Sequence, residues 1–540
     1  MVKFLRKHLI IIFIFALGLS VSWPLMKSGY FSHQDDLQII RIFEMRRCFL
    51  DFQIPCRWVP DMGWGNGMPL FNFYGVAAYY VGGLLSFIFG FLGASKLLFF
   101  ASLMLGSIGI YLLVNKLWGK YAGLTSAILY MFAPYKALDV YVRGALSESI
   151  ALTIIPFVFY FYYKKGYILA TLFLALFLIT HNIMTVIFLP VLLLWILYLL
   201  YLNKFKDIKL VFISLFLALG MSSFFTLPAF LEKDLVQTES LTRFELDYRA
   251  NFIGVKQLFL DRVWGYGTSI PGPEGKMNFQ IGWPYWLLSI SSLVVVFLKN
   301  SKRSTKYLII AIFSVFILSI FMTHNKSSFI WERISILKFF QFPWRFLSLS
   351  IFSASILGGA IIYFLDDKWQ KVISILIITL TIILNWGYFR PREYYDINDS
   401  QKLTGNLWEE QSRGALLDYL PKTALEPREG APSEPLIVLG KANITNFINK
   451  TNKFSFNVEV DETVEIHLPI YYFPNWKIKV DGKNYPLDHD NLLGRISILL
   501  AQGQYKVVGN FRNTPIRLFA NMISIFSIVG LLIWLKNTRS

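Results

Sequence analysis

The chain contains 540 residues, of which 55% are hydrophobic and 16% are charged, and its formal net charge at pH 7 is +18. Soluble globular proteins carry about 25% charged residues, so this composition excludes an ordinary soluble domain. The positive charge alone would suit a nucleic-acid partner. Whether it indicates such a partner depends on where the charged residues lie along the chain.

Apolar stretches recur along the chain, and each is long enough, or nearly so, to cross about 30 Å of hydrocarbon at about 1.5 Å per residue. No small-residue cleavage site follows the first stretch, so we interpret it as an uncleaved span and not as a signal peptide. The sequence therefore predicts a mainly α-helical, polytopic membrane protein with about twelve spans. The predicted spans are 8–26, 94–114, 121–136, 146–163, 167–181, 184–202, 208–228, 283–299, 307–323, 345–365, 370–388 and 517–535.

Lysine and arginine gather in the connections between alternate spans. If the N-terminus is cytoplasmic, the cytoplasmic segments hold 18 of these cations and only three acids, Asp207, Asp366 and Asp367. This asymmetry is the positive-inside bias of membrane proteins. It predicts a multi-pass protein of the inner (plasma) membrane with both termini in the cytoplasm, and it argues against a nucleic-acid partner.

The longer connections fall on the predicted outer face. Residues 1–388 are predicted to form a transmembrane domain with a large first outer loop at 27–93, and residues 517–540 the last span and a cytoplasmic tail. Residues 71–92 are apolar, but a crossing there would place later basic clusters outside, so they predict a helix in the outer leaflet. Residues 389–516 are predicted to form an extracytoplasmic β-sandwich-like domain. Its signals are an alternating strand at 454–460, a hairpin turn at Asp481-Gly482 and a second hairpin over 496–508.

The first outer loop opens with two acids, Asp35 and Asp36, ahead of a stretch with apolar residues on one helical face and polar residues on the other. This pattern is typical of a helix lying in the membrane interface. A carboxylate there could take a proton from an acceptor hydroxyl, but Asp is also a favoured helix cap, and the residues alone leave both roles open. Cys48 and Cys56, the only cysteines, lie in the same loop and could form a disulfide.

Several motifs along the chain carry a family resemblance. They are His33-Gln34-Asp35-Asp36-Leu37-Gln38, Pro55–Asp61, Gly65–Tyr74, Arg143–Glu148, Gln341–Phe346, and Tyr472–Trp476 with Asp481-Gly482-Lys483. On these residues the chain resembles the GT-C glycosyltransferases, which include oligosaccharyltransferase, protein O-mannosyltransferases and the aminoarabinose transferases of lipid A. It is most similar to bacterial membrane proteins described as related to 6-pyruvoyl-tetrahydropterin synthase and to the YfhO-like proteins.

The resemblance implies a GT-C-like fold, a sugar donor carried on polyprenyl phosphate and a catalytic Asp at the start of the first outer loop. An extra Gln after His33 leaves open whether Asp35 or Asp36 matches that residue, and we favour Asp35 because GT-C acidic pairs usually use the first acid. The candidate substrate-binding residues are His33, Arg41, Arg57, Asp139, Arg143, Glu148, His181 and Arg345.

Several candidates have a structural alternative. Arg143 could form a loop-stabilising ion pair with Asp139 or Glu148, or the cluster could orient an acceptor or hold a metal together with the first-loop acids. Arg345 could neutralise a donor phosphate or could anchor its helix at the interface. His181 could simply cap a turn.

Together these expectations describe an inverting glycosyltransferase with an Asp general base, a lipid-linked sugar donor, surrounding membrane lipids, and an envelope glycan, lipid or protein as acceptor. No cofactor motif is present, and the one cofactor that the sequence leaves possible is a hard divalent ion such as Mg²⁺ or Mn²⁺. The alternatives are a transporter or flippase for a lipid-linked glycan and a non-catalytic scaffold. Transporters usually place ionisable residues near mid-membrane, whereas these spans are nearly free of charge, which favours the enzyme.

Overall fold

The computed structural model describes residues 2–270, 277–299, 301–414 and 419–539. Helices dominate it, because long apolar runs satisfy their backbone hydrogen bonds locally and leave apolar side chains for packing or for lipid. The helices are Val2–Val21 (α1), Gln38–Leu50 (α2), Leu70–Phe73 (α3), Ala77–Trp118 (α4), Lys120–Met131 (α5), Pro134–Ala137 (α6), Leu146–Tyr163 (α7), Tyr167–Leu178 (α8), Asn182–Leu202 (α9), Ile208–Leu231 (α10), Val255–Phe259 (α11), Trp283–Leu298 (α12), Arg303–Thr323 (α13), Ser328–Arg333 (α14), Leu347–Tyr363 (α15), Asp367–Asn385 (α16), Asp399–Lys402 (α17), Gly405–Arg413 (α18) and Pro515–Arg539 (α19).

Within the described ranges, eight helices are long and apolar enough to cross a membrane, by length and composition. Three shorter apolar helices, Ile10–Val21 within α1, α8 and α12, accompany them. The prediction of a mainly helical, polytopic chain is confirmed. The predicted count of about twelve spans is approximate, because α5, α8 and α12 fall below the length that crosses about 30 Å without distortion.

Helix α4 is bent at Gly90, whose φ of 70° lies in the left-handed region that suits glycine. The predicted surface helix at 71–92 and the predicted span at 94–114 are largely the two arms of this one element. The Asp399 carboxylate accepts hydrogen bonds from the freed N–H groups of Phe91 at 2.7 Å and Leu92 at 2.9 Å. A residue from the C-terminal region therefore fixes the bend.

Helix α2 is enclosed by the protein on its polar side as well as on its apolar side. Ile39, Arg41 and Glu44 are all buried. The first loop itself supplies the polar partners: Glu44 accepts a hydrogen bond from the Asp61 N–H at 2.8 Å, and the Arg41 guanidinium lies over the Tyr74 ring at 4.5 Å. The first loop therefore covers much of the polar face of this helix, and its position in the membrane interface stays a prediction.

The C-terminal region contains a β domain of two sheets, as predicted. The strands are Leu436–Leu439 (β3), Ala442–Asn449 (β4), Lys453–Val460 (β5), Val464–Tyr471 (β6), Trp476–Val480 (β7), Lys483–Tyr485 (β8), Arg495–Leu500 (β9) and Gly503–Phe511 (β10). One sheet has the order β4-β5-β10-β7-β8 and the other β3-β6-β9. A separate pair, Tyr30–Phe31 (β1) with Tyr394–Tyr395 (β2), joins the first loop to the start of this region.

The Asp481-Gly482 hairpin is confirmed, since β7 and β8 pair antiparallel around two residues with positive φ. The second predicted hairpin is wrong, because β9 pairs with β6 whereas β10 pairs with β5 and β7. Consecutive strands here cross from one sheet to the other. The structure also pairs Cys48 with Cys56 in a disulfide.

Candidate functional site

The segment that carries the two predicted acids lies against the π-helical turn Leu138–Arg143, which follows α6. Gln34 N–H donates to Val142 O at 2.9 Å, and Asp35 N–H donates to Arg143 O at 2.8 Å. A Cβ on Gly144 would lie 2.4 Å from the His33 ring, so this contact requires glycine there. The sequence motifs around His33 and Arg143 are therefore brought together.

Asp35 is held by one carboxylate oxygen. Its Oδ2 accepts hydrogen bonds from Gln38 Nε2 and from Arg41 Nη1, both at 2.9 Å. No hydrogen bond from a described residue engages Oδ1, and the side chain is 33% exposed. Asp35 thus presents an oriented oxygen that can accept a proton.

Asp36 is arranged differently. Its Oδ2 pairs with Lys402 Nζ at 2.5 Å, and its Oδ1 is buried without a hydrogen-bond partner among the described residues. The side chain as a whole is 44% exposed, more than that of Asp35, but neither oxygen is both accessible and unpaired. Neither acid caps α2, whose N-cap residue is Leu37 and has no side-chain cap. The capping alternative is therefore wrong for both acids.

A buried charge cluster lies next to this segment. Arg143 Nη1 bridges the Asp139 and Glu148 carboxylates, contacting Glu148 at 3.0 Å. Arg345 Nε approaches the same Glu148 oxygen at 3.4 Å, and the Tyr135 hydroxyl donates to the other Glu148 oxygen at 2.6 Å. The predicted ion pairing of Arg143 is confirmed, with both acids at once.

Arg345 is 8% exposed, so it is not a side chain reaching to a membrane surface. Its Nη1 donates to Phe340 O at 2.7 Å and to Gln341 Oε1 at 3.2 Å, and its guanidinium lies over the Phe342 ring at 4.9 Å. The planar group is fixed by the loop that precedes α15. This burial therefore argues against the alternative that Arg345 anchors its helix at the membrane interface.

Both candidate histidines are enclosed by the protein and lie close to charged groups, His33 to the first-loop acids and His181 to Glu148. Burial lowers the pKa of His33 despite the opposing charges of Asp36 and Asp35. Burial also lowers the pKa of His181 to about 4. His181 Nδ1 accepts from the Met184 N–H at 3.2 Å, so it caps α9 as predicted. Both rings are neutral at physiological pH.

Arg57 lies in a different cluster. Its guanidinium donates to Asn72 Oδ1 at 2.8 Å and to Asn521 Oδ1 at 2.9 Å. Asn72 also donates to Glu232, which pairs with Arg517 at 2.8 Å. Burial and the nearby Arg517 charge lower the pKa of Arg57 to about 10. This cluster joins the first loop to α10 and α19 and does not meet the acids of the first loop.

Four residues of the site were not among the sequence candidates. Gln38 and Tyr74 lie inside quoted motifs, so family resemblance could have found them. Tyr79 donates to Gln38 Oε1 at 2.7 Å and fixes the amide that holds Asp35. Lys402 comes from 366 positions away, and no local pattern connects it to Asp36.

The charged residues of the site do not form a metal-ligand set. Within the described ranges, no group of three or more His, Cys, Asp or Glu side chains converges. Instead, an arginine is paired with one carboxylate oxygen of each of the three acids Asp35, Asp139 and Glu148. This arrangement does not fit the oxygen-rich shell that Mg²⁺ or Mn²⁺ prefers.

A pocket of about 450 Å³ opens beside the acid-bearing segment and the charge cluster. It lies between the residues next to Asp35 and the connection from α10 to α12. Its walls are formed by Gln34, Arg143, Glu245, Leu246, Tyr266, Gly267, Thr268, Ser269, Ile270, Met277, Phe342 and Trp344.

No family model matches the sequence, and no curated protein sequence matches it either. Among solved structures, the fold is similar to that of the oligosaccharyltransferase of Archaeoglobus fulgidus in its apo form, with a TM-score of 0.41 and 12% sequence identity. The alignment covers 79% of this chain and 61% of that chain. The chain thus spans about three fifths of the length of the archaeal enzyme.

Proposed function

We propose that this protein is a membrane glycosyltransferase of the GT-C type, which moves a sugar from a polyprenyl-phosphate donor to an acceptor on the outer face of the membrane. The observation that carries the proposal is the Asp35 carboxylate. One oxygen accepts hydrogen bonds from Gln38 and Arg41, and the other is free to accept a proton. The backbone N–H of Asp35 donates to the carbonyl of Arg143, which belongs to the buried charge cluster.

In the proposed reaction, Asp35 Oδ1 takes the proton of an acceptor hydroxyl. The hydroxyl oxygen then attacks the anomeric carbon of the donor sugar, and the bond from that carbon to the phosphate oxygen breaks. The electron pair leaves with the polyprenyl phosphate, and the configuration at the anomeric carbon inverts. Asp36 does not contact the acceptor; its pair with Lys402 holds the segment in place.

The developing charge on the leaving phosphate needs fixed positive charge. Arg41 and Lys402 are already paired with Asp35 and Asp36, so the candidates for this charge are Arg143 and Arg345 in the adjoining charge cluster. Arg345 is the better candidate, because it contacts one carboxylate, Glu148 at 3.4 Å, whereas Arg143 is paired with both Asp139 and Glu148. Since the carboxylates do not fit a divalent ion, no step of the scheme uses a metal.

Glycan analysis of the cell envelope tests the proposal. A strain that lacks the gene should lose one sugar substituent, and the wild-type gene should restore it. Purified protein should then transfer that sugar from its polyprenyl-phosphate form to extracted envelope acceptor and release polyprenyl phosphate in equal amount. An unchanged envelope glycan profile, together with no release of polyprenyl phosphate by purified protein, would contradict the assignment.

A further inference from the structure

Helix α17 has a single turn, and its two ends contact two separate places in the first part of the chain. Its first residue, Asp399, accepts the hydrogen bonds of the Phe91 and Leu92 N–H groups at the bend of α4. Its last residue, Lys402, is buried and pairs with Asp36 at 2.5 Å. One short helix from the C-terminal region therefore supports both the bend of α4 and the acid-bearing segment.

The Asp399 carboxylate stabilises the bend of α4. Gly90 has a non-helical conformation, so the arm that follows it begins with N–H groups that lack a helical partner, and an anion is favourable at such a helix start. A Cβ on Gly90 would lie 2.3 Å from Asp399 Oδ2, so the carboxylate lies directly against the bend. Without this carboxylate, the two arms lose the contact that fixes the angle between them.

The arm of α4 before the bend packs closely on α2. A Cβ on Gly83 would lie 2.9 Å from the Phe49 ring, so the two helices are in direct contact there. Farther along the same arm, Arg46 Nη1 of α2 donates to Ser86 O at 3.3 Å. A change in the angle of this arm would therefore move α2 as well.

Two buried hydrogen bonds lead from this arm to the candidate base. Tyr79, in the first turn of α4, donates to Gln38 Oε1 at 2.7 Å. Because that oxygen faces Tyr79, Nε2 of the same amide faces Asp35 and donates to its Oδ2 at 2.9 Å. Tyr79 and Gln38 are both fully buried. The position of the arm therefore sets the orientation of the amide that holds Asp35.

We infer that Asp399 is a positioning residue of the candidate site: it holds the bend of α4, so that Tyr79 and Gln38 orient the Asp35 carboxylate. The inference rests on the proposed function and adds to it a residue that acts from outside the site. Helix α17 thus supports the acid-bearing segment in two ways, directly through Lys402 and indirectly through the bend.

Spin labels on the two arms of α4 test whether Asp399 holds the bend, and they require no turnover. Labelled cysteines replace Leu84, which is 60% exposed before the bend, and Leu105, which is 39% exposed after it. The native Cys48 and Cys56 are joined in a disulfide and do not take the label. We expect Asp399→Ala to broaden the distribution of distances between the labels, because the angle between the arms is no longer fixed. An unchanged distribution would overturn the inference.

Asp488→Ala is the matched control. Like Asp399, Asp488 accepts hydrogen bonds from two successive backbone N–H groups, those of His489 at 2.7 Å and Asp490 at 3.0 Å, but it lies in the loop between β8 and β9. This variant should leave both the label distances and sugar transfer unchanged. If it broadened the distances as much as Asp399→Ala does, the specific role of Asp399 at the bend would be refuted.

The kinetics of transfer test the two hydrogen bonds between the arm and Asp35. A misplacement of about 1 Å can lower a rate by about a hundredfold, so a partial loss of order should lower kcat of Asp399→Ala about tenfold. The KM values for donor and acceptor should stay nearly unchanged, since Asp399 contacts neither substrate in the proposed scheme. Asp399→Asn keeps one acceptor oxygen for the two N–H groups, and its kcat should lie between those of Asp399→Ala and the wild type.

A double variant tests the route through Tyr79. Tyr79→Phe should also lower kcat, and adding Asp399→Ala should lower it by no more than about a further twofold, because both changes break the same route. Losses that multiply, or a wild-type kcat in Asp399→Ala, would overturn the inference. If the wild-type protein transfers no sugar, the glycosyltransferase assignment fails, and the label distances still decide whether Asp399 holds the bend.

Discussion

Replacing Asp35 with Asn tests the assignment of the general base most directly, because the amide has the same shape but cannot take the proton. General-base catalysis contributes typically 10²- to 10⁴-fold to a rate. At about 1.4 kcal/mol per factor of ten, this is a loss of roughly 3–5 kcal/mol in transition-state stabilisation. We expect transfer by Asp35→Asn to fall by at least a hundredfold.

The structural cost of the same change is smaller. The amide oxygen can still accept from Gln38 and Arg41, and Arg41 Nη1 also lies 3.3 Å and 3.4 Å from the hydroxyls of Tyr74 and Tyr79. Removing one partner of a fully buried ion pair costs about 3–5 kcal/mol, but Asp35 is one third exposed to solvent. We therefore expect a loss of about 1–2 kcal/mol in stability, too small to unfold the protein.

Asp36→Asn is the matched control. It weakens the pair with Lys402, which is only 2% exposed, but removes no accessible proton acceptor. Transfer should fall less than tenfold, while Tm falls at least as much as in Asp35→Asn. Both variants are assayed for transfer with purified protein and for Tm by thermal unfolding in detergent. Near-normal transfer by Asp35→Asn, or equal losses in the two variants, would refute the assignment of the base.

Three further changes probe neighbouring groups. Arg345→Lys keeps the charge but loses the planar group that contacts Glu148 and the loop before α15, so transfer should fall at least tenfold. Wild-type kinetics in this variant would show that Arg345 takes no part in the reaction. Burial lowers the pKa of His33, so its contribution to stability is complete above about pH 6.5 and is lost as the pH falls through the lowered value. His33→Asn should flatten the fall in Tm below pH 6.5, and an unchanged profile would exclude His33 as its source. Burial raises the pKa of Glu44, so ionisation of this carboxyl destabilises the fold as the pH rises. Glu44→Gln should therefore raise Tm at pH 7. A lower Tm would show that the fold needs the charge.

The helical part of the fold could be predicted because hydrocarbon thickness sets a length that the sequence must match. The Asp481-Gly482 hairpin could be predicted because two consecutive positive φ values restrict the residues allowed there. The burial of the polar face of α2 could not be predicted, since an amphipathic pattern looks the same whether lipid headgroups or the first-loop residues Asp61 and Tyr74 cover that face. The pairing of β9 and β10 also depends on sheet order, which short-range turn signals do not contain.

Part of the candidate site could also be predicted from the sequence. Asp35, Arg143 and Arg345 stand in motifs that resemble a known family, and the structure brings them together. The partition of roles between Asp35 and Asp36 required the structure, because it depends on Lys402, a residue distant in sequence. Arg57 stands in a motif of the same kind but belongs to another cluster, which residue type and spacing could not reveal.

That second cluster has a consequence for how the protein is made. Arg57 and Asn521 are 464 positions apart, and Glu232 meets Arg517 only when α19 is in place. Until the last helix is in place, Glu232 therefore lacks its arginine partner and Arg57 lacks its contact with Asn521, and each retains its hydrogen bond with Asn72. A fragment that ends before α19 should therefore be less stable than the full chain, and α19 supplied as a separate chain should restore the contacts of Glu232 with Arg517 and of Arg57 with Asn521. The last helix is thus the element that completes the pairing of charges between the first loop and α10.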